Sequence, residues 1–155
     1  MKKSIILIFS SFLFLGLAGC DTFRTATNAP DRVTDEVQAP TAQEAQDAQA
    51  DATSETRRRQ LDADIQAREE RNNLLNDGAA TNRSDSDLAS QVRSKLEANL
   101  PASALVVESE NGNVTISGTV PTQQQYERIP NLAKEIKGVN NVTLNVAVAP
   151  AQPEN

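Results

Sequence analysis

The sequence predicts an α+β domain in its C-terminal part, with two helices on one face of a three-stranded mixed sheet in the order αββαβ. Three observations predict this fold. Apolar residues recur at helical spacing after Ser84, two alternating segments flank Asn111-Gly112, and a second helical pattern precedes a last alternating segment at 142–148. We expect a disordered or helical tether before this domain, which would span residues 84–149.

The first predicted helix begins at Ser84, whose hydroxyl can accept hydrogen bonds from the free N–H groups of the first turn. Leu88, Val92 and Leu96 recur every four positions and form one apolar stripe. Pro101 follows shortly after the stripe and indicates the helix end.

The next two segments predict a β-hairpin, because Asn-Gly favours a type I′ turn with positive φ at both central residues. A two-residue loop at Asn111-Gly112 fixes the register and places Gly118 opposite Leu105, where the strands can approach closely. The predicted pairs are Glu110 with Asn113, Ser109 with Val114, Val107 with Ile116 and Leu105 with Gly118.

The second predicted helix follows Pro121, and Thr122 and Gln125 have capping-box spacing. Pro130 lies within this pattern, so we expect either a kink there or a break at which Pro130 begins a second segment. Gly138 is suited to a C-terminal cap. A right-handed crossover then places the last strand parallel to its predecessor.

The N-terminal residues have the pattern of a bacterial lipoprotein signal. Two lysines precede a mostly apolar stretch, and Leu17-Ala18-Gly19-Cys20 resembles the lipobox read by lipoprotein signal peptidase. We expect residues 1–19 to be a signal peptide and Cys20 to carry acyl chains that anchor the protein to a membrane. The alternative is an ordinary cleaved signal followed by an incidental cysteine.

Three segments separate Cys20 from the predicted domain. Residues 20–53 contain few large apolar side chains and predict a disordered tether. Residues 54–77 predict an exposed, charge-rich helix, in which Arg57–Arg59 could contact phosphate headgroups or simply be solvated; the nearby acidic residues favour solvation. Residues 78–83 form a linker, and a loose tail at 150–155 follows the domain.

The composition argues against several classes of function. The chain has 15 basic and 21 acidic residues, no histidine, no tryptophan and one cysteine. An acidic protein with few aromatic residues is unsuited to nucleic-acid binding. With Cys20 acylated, the usual nucleophiles, general bases and soft metal ligands are missing, so we expect no enzyme activity, no cofactor and no metal site.

The C-terminal segment resembles the BON domain family, named for osmotically induced periplasmic and nodulation-associated proteins. The resemblance covers about residues 84–149 and includes glycines at positions 112, 118 and 138. The motifs that carry it are Asp87-Leu88 with Val92 and Leu96, Asn111-Gly112-x-Val114-x-Ile116-x-Gly118-x-Val120, and Gly138-Val139-x-x-Val142-x-Leu144-x-Val146. Ser109 and Pro130 depart from the family pattern.

The resemblance implies an envelope protein that binds phospholipid or envelope surfaces and supports membrane integrity and stress tolerance. Its partners would be the membrane, through acylated Cys20, and either anionic phospholipid or an envelope protein. Candidate contact residues are Arg93, Lys95 and Tyr126. The alternative, which we favour, is that the first two are ordinary solvated charges and that Tyr126 is a core-edge tyrosine. The alternative function is a periplasmic protein-interaction adaptor without lipid recognition. It would dock an envelope partner on the polar, wet face of the sheet or on the charged helix before the domain. We expect the domain to face the periplasm; whether the anchor lies in the inner or outer membrane stays open.

Overall fold

The computed structural model describes residues 22–152, so the predicted signal peptide at 1–19 and the predicted lipidation site Cys20 lie outside the described range. Within this range the chain forms four helices and four strands. In chain order these are β1 (Phe23–Arg24), α1 (Ala42–Thr53), α2 (Glu55–Leu75), α3 (Asp85–Asn99), β2 (Ala104–Glu110), β3 (Asn113–Val120), α4 (Gln123–Lys134) and β4 (Asn141–Val148).

The elements α3, β2, β3, α4 and β4 form the predicted αββαβ unit. Strands β2 and β3 pair antiparallel in the predicted register, with Val107 opposite Ile116 and Leu105 opposite Gly118. Strand β4 lies parallel to β3, with Val114 opposite Val142. The hairpin register and the parallel pairing of the last strand, both predicted from the sequence, are therefore confirmed.

Helices α3 and α4 contribute to one hydrophobic core against the sheet. The apolar stripe of α3 is almost completely buried, with Leu88 at 1% and Val92 and Leu96 at 0% exposure. The core is completed by residues from both helices and the strands, including Leu105, Val107, Val114, Ile116, Ile129, Leu132 and Ala133. The two helices thus lie on one face of the sheet, as the sequence predicts.

The sheet has four strands rather than the expected three, in the order β1-β2-β3-β4. Strand β1 pairs antiparallel with β2, with Phe23 opposite Val107, and the pairing is extended where Thr25 N donates to Leu105 O over 2.8 Å. A strand of two residues shows no alternation of apolar and polar side chains, so the sequence pattern could not reveal it.

The chain between β1 and α1 crosses the second face of the sheet, which the sequence predicts to be wet. Arg24 Nη1 donates to Ala29 O and to the carboxylate of Asp31, and Val33 N donates to Glu108 Oε1. Further along, Gln152 N donates to the carbonyl of Pro40 beyond the end of β4. This covering is consistent with the low exposure of Val106, an apolar residue on that face, which is only 1% exposed.

In place of the expected disordered tether, the described part of residues 20–53 contains β1 and α1. Thr41 begins α1 with a complete capping box, in which its hydroxyl accepts from Glu44 N and the Glu44 side chain accepts from Thr41 N. Ser54 caps α2 in the same manner by accepting from Arg57 N. Capping satisfies orphan backbone donors and stabilises a helix that has few apolar residues.

Helix α2 is exposed on one side, as the sequence predicts for the whole helix, but its other side packs against the side of α3 opposite the sheet. Leu61 of α2 is 1% exposed, although the apolar stripe of this helix is thin. The helix is held mainly by ion pairs and hydrogen bonds to α3, which an analysis of apolar periodicity does not consider.

For α4, the structure excludes one of the two alternatives for Pro130 and corrects the expected role of Gly138. The helix runs from Gln123 to Lys134 without interruption, so Pro130 does not break it. Buried Ile129, Leu132 and Ala133 on both sides of the proline hold the helix against the core. Gly138 does not directly cap α4, since Glu135 is the C-cap; Gly138 lies in the following loop with a φ of 98°.

Candidate functional site

A buried polar stripe runs along the outer side of α3, beneath α2. Its residues recur at helical spacing, and each is at most 4% exposed: Asp87, Ser90, Gln91, Ser94 and Glu97. Buried polar groups need partners because an unpaired one costs about 1–3 kcal/mol. Helix α2 supplies most of those partners. Gln91 Nε2 donates to Ile65 O over 3.1 Å, and the remaining contacts form three clusters around carboxylates along the helix pair.

Glu97 forms the first cluster, at the end of the helix pair where α2 begins. Arg57 donates to both of its carboxylate oxygens, over 2.6 and 3.1 Å, and Arg93 donates to Oε2 over 3.2 Å. The hydrogen bond to Glu97 raises the pKa of Arg57 above its ordinary value, against the opposing effect of burial. The buried carboxylate is thus compensated by two guanidinium groups.

Asp64 forms the central cluster. Its Oδ2 accepts hydrogen bonds from Ser90 Oγ over 2.8 Å and from Ser94 Oγ over 2.9 Å, and its Oδ1 accepts from Arg68 Nε over 3.1 Å. Burial acts to raise the pKa of Asp64, but the two hydroxyl hydrogen bonds and the charges of Arg68 and Arg93 outweigh it, so the pKa lies below its ordinary value.

Asp87 forms the third cluster, near the start of α3. Its Oδ1 accepts from Arg68 Nη1 over 2.6 Å and from Arg71 Nη1 over 2.9 Å. Burial acts to lower the pKa of Arg68, but the hydrogen bond to Asp87 and the nearby charge of Asp64 raise it above its ordinary value. The α2–α3 contact therefore pairs charges along its whole length.

The three clusters around Glu97, Asp64 and Asp87, here called the clasp, hold α2 against α3. The carboxylates of the clasp are occupied by arginine and serine donors, which leaves no free acid and base facing a substrate cleft. Among residues 22–152 no group of three or more His, Cys, Asp or Glu side chains could hold a metal ion. In the same range, no helix is both long and apolar enough to cross a membrane.

The other candidate surface lies at the end of the sheet that carries the Asn111-Gly112 turn, here called the hairpin end. Because β1 runs antiparallel to β2, the chain enters the fold at this end. Thr22 and Phe23 line a cavity of about 420 Å³ together with Asp85 and Ser86 from the start of α3. Asp31 and Glu108 also line the cavity, together with Arg32, so its lining has three acidic side chains and one basic side chain.

Two large apolar side chains are exposed at the same end. Leu74 is 83% exposed and Leu75 is 81% exposed, at the C-terminus of α2. Leu75 lines a shallow cavity with Ser84 and Asp87, which places it beside the start of α3. The start of α3 is therefore flanked by the chain entry on one side and by the leucine pair on the other.

The residues predicted to contact membrane are engaged within the fold. Arg93 pairs with Glu97 and, over 3.7 Å, with Asp64, and its side chain is 16% exposed. Lys95 Nζ lies 2.6 Å from Glu135 Oε2. Tyr126 is partly buried and packs against the core. The structure does not bring these three side chains together into one surface.

Two of the predicted structural glycines have positive φ and no room for a side chain. Gly112 has a φ of 78°, and a Cβ there would lie 2.7 Å from Gly138 O. Gly118 has a φ of 130°, and a Cβ there would lie 2.0 Å from Ala104 O. Gly112 therefore allows the hairpin turn to lie close to the loop at Gly138, and Gly118 allows β3 to lie close to β2.

The exposed leucine pair was not among the sequence candidates. The available signal is that Leu74 and Leu75 are adjacent and follow two asparagines at the end of a polar helix. Neighbouring residues on a helix point about 100° apart, so both leucines cannot belong to one narrow buried stripe.

Comparison with known proteins gives one match. Residues 84–150 match the family model described as the BON domain. This range begins at the residue that caps α3 and ends just after β4, so it covers the αββαβ unit and excludes β1, α1 and α2. Neither the curated proteins nor the solved structures include a significant match to the chain.

Proposed function

Residues 84–150 are a BON domain, a module known from envelope and periplasmic proteins, and on this premise we propose that the chain is a lipid-anchored envelope protein whose domain contacts the phospholipid bilayer at its hairpin end. The observation that supports this proposal is the exposed pair Leu74–Leu75 at the end where the chain enters the fold. In this role the protein supports membrane integrity and tolerance of envelope stress.

The first argument is the short distance between the predicted anchor and the fold. Only Asp21 and Thr22 separate Cys20 from β1. An extended chain spans at most about 3.6 Å per residue, so the acylated cysteine can lie no more than about 11 Å from Phe23. The flexible tether expected from the sequence would have held the domain well away from the lipid, whereas this connection keeps it at the bilayer surface.

The second argument is hydrophobic. Full burial of a leucine side chain contributes about 1.5–3 kcal/mol, so insertion of Leu74 and Leu75 adds to the anchoring that acyl chains provide. No contact within the described fold offsets the free-energy cost of leaving both side chains in water. A bilayer held a few ångströms away by the anchor would bury them.

Electrostatics make this contact insensitive to lipid charge. The hairpin end carries Asp85, Glu108 and Glu110, and its basic side chains Arg71 and Lys137 contact Asp87 and the Gly78 carbonyl. The basic candidates Arg93 and Lys95 are paired with carboxylates. The chain as a whole has a formal charge of −6. We therefore propose insertion of apolar side chains rather than recognition of anionic headgroups, which needs a basic patch.

A tryptophan reporter tests the contact, since the natural chain contains no tryptophan. The lipidated protein carrying Leu75→Trp is reconstituted into phosphatidylcholine vesicles, and quenching by brominated lipid is measured. We expect strong quenching and a blue-shifted emission. The matched control is Gln124→Trp at the exposed start of α4, at the opposite end of the sheet, which should report water. Equal exposure of the two reporters to an aqueous quencher would contradict the proposal.

The anchor itself is tested separately. Mass spectrometry of the N-terminal peptide from the membrane fraction should show a chain that begins at Cys20 and carries the mass of two or three acyl chains. An unmodified thiol at that position would remove the basis for the short connection.

The alternative function, an adaptor that docks an envelope partner on the wet face of the sheet or on the helix at 54–77, has less surface than the sequence predicts. The chain from 26 to 40 crosses the wet face, and one side of α2 is engaged by α3. A partner docked on one of these surfaces should be lost when the residues of that surface are changed, even if the anchor and the lipid contact are intact. Substituting Leu74 and Leu75 should leave such a partner bound.

A further inference from the structure

Strand β4 is an unprotected edge of the sheet. Among residues 22–152 no strand pairs with its outer side, since β4 ends the order β1-β2-β3-β4. Natural edge strands are commonly protected by charged side chains, proline, bulges or short length. Strand β4 has eight residues paired without interruption to β3, and residues 139–149 contain no charged side chain and no proline.

The register shows which backbone groups face outward. Ala149 N donates to Val120 O over 2.9 Å, just beyond the last strand pair. Since N–H and C=O of one residue point to the same side of a strand, the odd-numbered residues of β4 bond to β3 and the even-numbered ones point away. The residues whose backbone N–H and C=O groups face away from β3, here called outward-facing residues, are Val142, Leu144, Val146 and Val148.

We propose that β4 pairs with β4 of a second copy of this chain, antiparallel and centred on Asn145, to form a continuous eight-stranded sheet. This register places each outward-facing residue opposite an outward-facing residue of the other copy. Leu144 lies opposite Val146 of the partner subunit, and Val142 lies opposite Val148 of the partner subunit. All four outward-facing N–H and C=O pairs of each copy are then satisfied.

The side chains match on both faces of this pairing. On the helix side every cross-strand pair is aliphatic, and pairing covers Val148, which is 40% exposed in the single copy. On the other side Thr143 lies opposite Ala147 of the partner subunit, and Asn145 lies opposite its own copy. Such small polar and aliphatic pairs are compatible with close approach of two strands.

The lack of charge along β4 favours a second copy as the occupant. Two copies of an acidic chain repel each other over most of their surfaces, and a neutral edge is where they can approach. An antiparallel edge is also self-complementary, as a closed two-fold interface requires. The two-fold axis is perpendicular to the sheet, so both α2 helices lie on the same side of the continuous sheet.

Cysteine crosslinking in residues 21–155 tests the register, because this stretch contains every described element and no cysteine. Asn145→Cys places two thiols in a non-hydrogen-bonded pair with Cα atoms about 4.5 Å apart, within disulfide range. The matched control Thr143→Cys separates the two thiols by about 13 Å along the strands. We expect at least tenfold more disulfide-linked dimer from Asn145→Cys under mild oxidation. Equal crosslinking of both variants, or more from the control, overturns the register.

Charge substitution tests the interface without a crosslink. Light scattering during gel filtration of residues 21–155 should give twice the monomer mass at high concentration. Asn145→Lys and Asn145→Asp each place like charges opposite each other, and we expect each to weaken the dimer at least tenfold, while an equimolar mixture pairs again. A monomer at every concentration, or a dimer unchanged by both substitutions, overturns the proposal. Neither result bears on bilayer contact through Leu74 and Leu75.

Discussion

At the residue scale, Gly118 is the position where β2 and β3 approach most closely. Its φ is 130°, and a Cβ atom added there would lie only 2.0 Å from Ala104 O, so there is no space for alanine. We expect Gly118→Ala to lower the free energy of unfolding by about 3 kcal/mol, measured by urea denaturation, because the strands must separate or the backbone must shift. Thr143→Ala, at an exposed position of β4, is the control and should change it by less than about 0.5 kcal/mol.

Arg57 is the residue whose loss should most directly weaken the clasp. Glu97 is 2% exposed, and Arg57→Ala removes its bidentate partner while leaving Arg93. We expect a loss of about 2 kcal/mol in the free energy of unfolding, less than for a fully buried ion pair because Arg57 itself is 31% exposed.

The adjacent arginine provides the matched control for Arg57. Arg59 is 70% exposed and lies 3.6 Å from Glu55, a pair on the helix surface that contributes little. Arg59→Ala should therefore change the free energy of unfolding by at most about 0.5 kcal/mol. Equal effects of the two substitutions would show that the buried carboxylate does not depend on Arg57.

At the scale of elements, the docking of α2 should depend on acid pH through Asp64. The pKa of Asp64 is lower in the folded chain than its ordinary value of 3.8. A lowered pKa means that the ionised carboxylate stabilises the fold above pH 3.8, and that this contribution is lost as the pH falls through the folded-state pKa. We expect the protection factors of α2 amides against hydrogen exchange to fall below about pH 4, before those of α3 amides.

Neutral replacement of Asp64 identifies the group responsible. Asp64→Asn should lower the stability at pH 7 and remove part of the acid dependence, since the amide cannot titrate. Asp62→Asn, on the exposed side of the same helix, is the control and should leave the acid dependence unchanged. If Asp64→Asn retains the full acid dependence, another group of the clasp controls α2.

The elements predicted correctly are those with an apolar period or a specific turn. Leu88, Val92 and Leu96 define α3, and Asn111-Gly112 fixes the hairpin register, because these signals are local in the sequence. The docking of α2 was not predicted, since it depends on pairs such as Arg57 with Glu97, forty residues apart. A single sequence shows that both charges exist but not that they meet.

At the scale of the whole molecule, the two candidate surfaces depend on relationships that only the assembled fold reveals. The sequence predicts β4 as a strand, but its position at the edge depends on the order of all four strands. Leu74 and Leu75 become a candidate membrane contact only when α2 is seen to end beside the start of α3. The sequence does, however, place Cys20 within reach of that end once β1 is known.

The last prediction concerns the coupling between the anchor and the leucine pair. Inserting a flexible linker of about 20 Gly and Ser residues between Asp21 and Thr22 extends the connection from two residues to a mean span of about 25 Å. The effective concentration of Leu74 and Leu75 at the bilayer then falls, so we expect quenching of the Leu75→Trp reporter to decrease severalfold. Crosslinking through Asn145→Cys should be unchanged, because β4 lies at the opposite edge of the sheet. Undiminished quenching would mean that the contact does not depend on a short connection to the anchor.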